Sequence, residues 1–179
     1  MELLDVLDRD GNKIGVEDRK IVHEKGLWHV HVGVWIMNKE GKLLFQKRSA
    51  LKPRNPNKWT RTGGHVDSGE TPLIGIQREV EEEIGIKIPQ EEFELIDIRE
   101  SGSKEIEHNF IYNYFAYVNY KIEEYTIQKE EVSDLKYVSI EEMEQALRTN
   151  DENYTFIRWK SINKDIKILK EKRNLIKNS

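Results

Sequence analysis

The chain has no cysteine among its 179 residues, which excludes disulfides, thiolate nucleophiles and cysteine-bound zinc together. It also lacks any run of eighteen apolar residues, about the length a membrane-crossing helix needs. Its first residues, MELLDVLDRD, are acidic where a secretory leader would be basic and then apolar. Internal repeats, low-complexity tracts and a recognisable DNA-binding module are missing as well. These absences lead us to expect an unprocessed cytoplasmic protein, with no nucleic acid and no membrane as its partner.

What is present is an ordinary globular balance, 37% hydrophobic and 35% charged, with a net charge of -4 that decides little. The length suits one domain with a substantial core. Its charge is uneven along the chain. Residues 158–179 hold eight Lys or Arg against Asp165 and Glu171, a net +6 that leaves -10 for the rest. Ile162, Ile166, Leu169 and Ile176 fall near helical spacing, so we expect a body over 1–157 and a basic amphipathic helix over 158–179 packed on it.

Along the body, ELLDVLD and the turn RDGNKIG predict a strand and its return, and VEDRKIVHEKG a brief helix ended by Gly26. LWHVHVGVWIMN and LLFQKRS, joined by NKEGK, predict a hairpin. Alternation puts His29 and His31 on one face of its first strand. The loop ALKPRNPNKW, with two prolines, is expected to be irregular and positively charged. TRTGGHV predicts a short strand, FELIDIRES, HNFIYNYFAYVNY and DLKYVS three more, and SIEEMEQALR a helix capped by its serine. Phe110, Tyr112 and Tyr114 share one strand face, as a core row or as a stack for a substrate base. Strands and helices do not alternate regularly, so the expected class is α+β with a mixed sheet.

The acidic stretch GHVDSGETPLIGIQREVEEEIGI carries the chemistry. A helix from about Thr71 to Ile84 puts Leu73, Ile76, Val80 and Ile84 within roughly 80° of one another as a buried stripe. Glu79, Glu82 and Glu83 then share the adjoining flank, and Glu81 points away. Like charges at that spacing cost an isolated helix about 0.2–0.5 kcal/mol per pair. A hard cation reverses the sign, since Mg²⁺ takes oxygen ligands and is commonly held by carboxylates together with substrate phosphates.

The series Gly64, Glu70, Arg78, Glu79, Val80, Glu82, Glu83, Gly85 and Ile86, at its spacing, resembles the Nudix box without departure. The resemblance implies a loop-helix-loop on an α/β/α sandwich and Mg²⁺-dependent hydrolysis of a phosphoanhydride in a nucleoside diphosphate linked to some other moiety, or in a related organic diphosphate, with Mn²⁺ as the substitute metal. By that likeness Glu79, Glu82 and Glu83 bind metal, the Gly64 carbonyl adds a ligand, and Glu70 with Arg78 orients the cluster. Glu79 is the first choice for general base, with Glu130 or Glu131 in reserve. The substrate is a small-molecule diphosphate, and a homodimer is common among relatives.

Residues 5–86 also resemble the type 1 isopentenyl-diphosphate isomerases. That likeness implies that His23, His29 and His65 gather at a second metal, and that Arg19, Arg48 and Lys52 contact the diphosphate. The departures favour a hydrolase. The isomerases use a cysteine where this chain has Gly63, they lack glutamates matching Glu79 and Glu82, and their paired glutamates find no match near IEHNFIYNY. The alternatives are an isomerase-like enzyme and a noncatalytic sensor of a nucleotide or metabolite, for which a lost metal-binding glutamate would be expected.

Overall fold

The structure is a computed structural model that describes residues 2–103 and 107–178. The end residues of the expected 1–157 and 158–179 segments, and Ile106 at the head of IEHNFIYNY, lie outside the described residues. In chain order the elements are β1 (Leu3–Leu7), β2 (Lys13–Asp18), α1 (Arg19–Lys25), β3 (Trp28–Met37), β4 (Leu43–Arg48), β5 (Trp59–Thr60), β6 (Thr62–His65), α2 (Pro72–Ile84), β7 (Phe93–Ser103), β8 (Glu107–Tyr117), β9 (Val132–Val138), α3 (Ile140–Thr149) and α4 (Ile162–Lys177). None of the described helices is long and apolar enough to cross a membrane.

Two compact units share the chain. The first comprises Met1–Val34, Gly63–Glu81 and Lys87–Phe115. In it β1 pairs antiparallel with β2 and β3, β6 also pairs with β3, and β8 lies between β3 and β7. The turn between β1 and β2 forms because Asp8 Oδ1 accepts from the Asp10 and Asn12 N–H groups at 2.9 and 2.8 Å. Helix α1 starts where the Asp18 side chain accepts from the Lys20 N–H and stops at Gly26, as the sequence predicts, although Val16–Asp18 belong to β2. Leu4, Val6 and Val22 form one apolar cluster, and Ile76 and Val80 of α2 are fully buried.

The second unit comprises Trp35–Thr62, Glu82–Ile86 and Ala116–Ser179. Here β4 pairs antiparallel with β5, with β9 and, at Met37↔Leu43, with the end of β3. Trp35, Phe45, Phe156, Ile140, Met143 and Leu169 are its buried core. Ser139 and Glu142 close a reciprocal capping box on α3. Helix α4 is tied to α3 by Lys170–Glu144 at 2.7 Å and Arg173–Glu141 at 2.6 Å, with Ile162, Ile166 and Leu169 inward. It begins at Ile162 and not near Arg158 as the spacing predicts. Trp159 holds the preceding segment, 5.0 Å from the Arg61 guanidinium and 5.9 Å from the Trp35 ring.

Candidate functional site

Helix α2 runs over the span its periodicity predicts, to within one residue, and stops at Gly85 with φ +71°. In the first unit its Glu79 carboxylate occupies the place where a side chain at Gly64 would begin, so any larger residue there would push the carboxylate aside. Arg78 fans out behind it. Its Nε donates to Glu70 Oε1 at 3.0 Å, Nη2 to Glu70 Oε2 and to the His65 carbonyl at 3.0 Å each, and Nη1 to Glu79 Oε1 at 3.1 Å. Glu70 and Arg78 thus form a forked ion pair, and the same guanidinium also bonds Glu79. Burial works against the Arg78 charge, but Glu70, Glu79 and Asp67 outweigh it and hold the guanidinium above its ordinary range.

In the second unit Glu83 is 7% exposed and Glu82 is exposed. The Thr62 hydroxyl donates to Gln46 Oε1 and Gln46 Nε2 donates to Glu83 Oε2, both at 2.8 Å. Because a carboxylate only accepts, the Gln46 amide presents its NH₂ to Glu83, and its Oε1 is left to accept from the Thr62 hydroxyl. Sequence reasoning missed Gln46 and Thr62. The available signal was a polar residue inside the apolar run LLFQ. The Gln128 N–H donates to the Glu83 carbonyl and the Glu131 N–H to the Gln128 carbonyl, so the loop carrying Glu131 is fastened to the end of α2.

The basic loop is partly self-engaged. Lys52 forms an ion pair with Glu131, so a residue chosen for phosphate and the reserve base meet each other. Arg48 Nε donates to the Arg54 carbonyl at 3.0 Å. In the first unit Arg19 pairs with Glu2 at 2.7 Å.

His23, His29 and His65 converge, each offering a ring nitrogen within 4.8 Å of the others. His29 is 1% exposed and bonds the Leu27 carbonyl through Nδ1 at 2.9 Å. A carbonyl only accepts, so Nδ1 carries the proton and Nε2 keeps its lone pair. That Nε2 is buried with no hydrogen-bond partner among the described residues. Burial, then the neighbouring His23 and Arg19 charges, lowers the His29 pKa despite the Leu27 bond, and burial followed by His31 pushes His65 well below the histidine range. All this favours neutral imidazoles, the form a transition metal binds. A side chain at Gly63 would meet the Val32 carbonyl and lie 2.8 Å from Gly33 Cα, so the isomerase cysteine has no room there. Of the aromatic row, Tyr114 is core, 5% exposed against Phe93, while Phe110, which lies on Trp28, and Tyr112 are half-buried.

Comparison with known proteins identifies the family of the chain. Residues 27–160 match the family model of the NUDIX domain. An uncharacterized Nudix hydrolase of Clostridium acetobutylicum is 39% identical over 149 residues, covering 79% of this chain and 72% of that protein. Nudix hydrolase 3 of Arabidopsis thaliana is 39% identical over 163 residues, which is 86% of this chain but 21% of that protein. Isopentenyl-diphosphate Delta-isomerase of Serratia proteamaculans is more distant, 28% identical over 86% of both chains. A crystal structure of a Deinococcus radiodurans protein superposes with a TM-score of 0.68 at 18% identity, covering 95% of this chain and 98% of that one.

Proposed function

Because the chain belongs to the Nudix hydrolase family and has its mixed-sheet α+β fold, we propose that it hydrolyses a phosphoanhydride in a small organic diphosphate, with Mg²⁺ held by Glu79, Glu82, Glu83 and the Gly64 carbonyl. The observation that carries this is the Arg78 fan, which spends an arginine on aiming Glu79 into the gap left by Gly64. The buried Glu83, held at one oxygen by Gln46, fits the same donor set. When bound, the cation neutralises charge on the phosphates and acidifies a water.

The protein's own groups do the rest. Glu79 takes the proton from the attacking water, with Glu131 in reserve. Arg19, Arg48 and Lys52 bind the phosphates by charge-assisted hydrogen bonds, and Lys52 exchanges Glu131 for a phosphate oxygen as the substrate enters. An isomerase would have to move a proton without room for a group at Gly63. The test is a panel of nucleoside di- and triphosphates, sugar nucleotides, dinucleoside polyphosphates and prenyl diphosphates with Mg²⁺ or Mn²⁺, following phosphate, nucleotide and double-bond position. Release of phosphate or nucleotide is expected; double-bond migration without release would sink the hydrolase reading.

The lone pair of His29 supports a second proposal, that His23, His29 and His65 hold a transition ion of the zinc type. Protein purified without added zinc is expected to retain about one such ion per chain, the stoichiometry of a single three-nitrogen site. Elemental analysis finding only traces would refute it.

A further inference from the structure

A buried polar trio in the second unit stands where apolar side chains would fold as well. Gln46 and Thr62 are each 2% exposed, beside the Glu83 carboxylate. Their neighbours in the chain are apolar: Leu43, Leu44 and Phe45 before Gln46, and Val80 and Ile84 around Glu83, are all buried. Burying such a set gives little or no net stability over apolar side chains of similar volume. What a bonded polar set does give is a fixed orientation. The backbone beneath it is firm. Gln46 is flanked on both sides of β4, by Thr60 of β5 and Leu135 of β9. The Glu83 carbonyl accepts from the Gln128 N–H at 3.1 Å. On that frame Gln46 Nε2 donates to Glu83 Oε2, and the Thr62 hydroxyl gives the amide a second point of attachment at Oε1, each at 2.8 Å. Two attachments fix the amide plane, and a carboxylate held at one oxygen no longer turns about its last bond.

We infer that Gln46 and Thr62 are positioning residues for Glu83, acting in series, and that they set how tightly the acidic helix holds its divalent cation. Thr62 acts through Gln46, and Gln46 acts on the carboxylate. A ligand already aimed loses less freedom when the cation arrives, whereas a loose carboxylate has to be ordered first. Hydrogen-bond partners standing behind a metal ligand typically change metal affinity by about 10–100-fold. A trio that served the fold alone would move the melting temperature and leave the cation affinity of the folded protein unchanged. The inference rests on the assignment of Glu83 to the cation, so Glu83→Gln is measured alongside.

The experiment measures Mn²⁺ binding from the electron paramagnetic resonance signal of the free ion, at a temperature where circular dichroism shows the variants folded. Gln46→Met keeps the volume and removes the amide, and its Mn²⁺ Kd is expected to rise about tenfold or more. Thr62→Val should raise Kd by at least about threefold, while Thr62→Ser, which keeps the hydroxyl, stays within about twofold of wild type. Action in series also predicts that Thr62→Val changes Kd by less than about twofold once Gln46 is methionine. If Gln46→Met does not fold, the Thr62→Val and Thr62→Ser pair makes the comparison on its own. An unchanged Kd in folded Gln46→Met or Thr62→Val, equal losses in Thr62→Val and Thr62→Ser, or a full Thr62→Val effect without Gln46 overturns the inference. In each of those cases a raised Kd in Glu83→Gln leaves the cation assignment standing. A Glu83→Gln Kd equal to that of wild type overturns both.

Discussion

Glu79→Gln is expected to lower kcat by about 10²–10⁴-fold, the range lost when a positioned general base is removed. The substitution is nearly isosteric. A glutamine oxygen still accepts from Arg78 Nη1, and the side chain still fills the space beside Gly64, so the fold has no reason to change. What disappears is a negative charge and a proton acceptor. Because Glu79 is assigned both to the metal and to the water, kcat should be measured while Mg²⁺ is raised to saturation. A loss that saturating Mg²⁺ does not restore belongs to proton transfer. A near-normal rate there would remove Glu79 as the base and turn attention to Glu131.

The second large effect is structural. Arg78→Met should destabilise the protein by about 2–4 kcal/mol, between the loss of hydrogen bonds to a charged group and the cost of breaking a fully buried ion pair, since this pair is part-buried. The Arg78 and Glu70 side chains are 23% and 20% exposed and Glu79 is 15%, so water cannot easily replace the guanidinium. The His65 carbonyl loses its donor as well. In a chain of this length the shift in Tm should be on the order of 10 °C. Arg78→Lys should recover little, because an ammonium cannot make the fork to Glu70. Thermal denaturation of the two variants decides it: a Tm within about 2 °C of wild type for Arg78→Met would mean the fan is incidental.

The acidic helix was legible because its information is local. Period, stop glycine and the identity of the carboxylates all lie within one stretch, and both capped helices, at Asp18 and Ser139, were readable for the same reason. Contacts between distant positions were not. Gln46 meets Glu83 across 37 residues and Lys52 meets Glu131 across 79, and nothing in either neighbourhood announces the partner. The late start of α4 has the same origin, since Trp159 is claimed by Arg61 and Trp35 before helical propensity can act. Alternation along HNFIYNY groups Phe110 with Tyr114, but it could not say that Tyr114 would bury against Phe93 or that Asn113 would join Asp97.

The central claim is that Glu79, Glu82 and Glu83 exist to hold a divalent cation against phosphate. Titration calorimetry of Mg²⁺ or Mn²⁺ into the protein, alone and with inorganic diphosphate, tests it most directly. Saturable uptake that diphosphate strengthens, and that Glu79→Gln and Glu83→Gln each weaken, is the predicted result. Absence of uptake in both conditions, or uptake indifferent to both substitutions, would contradict the account.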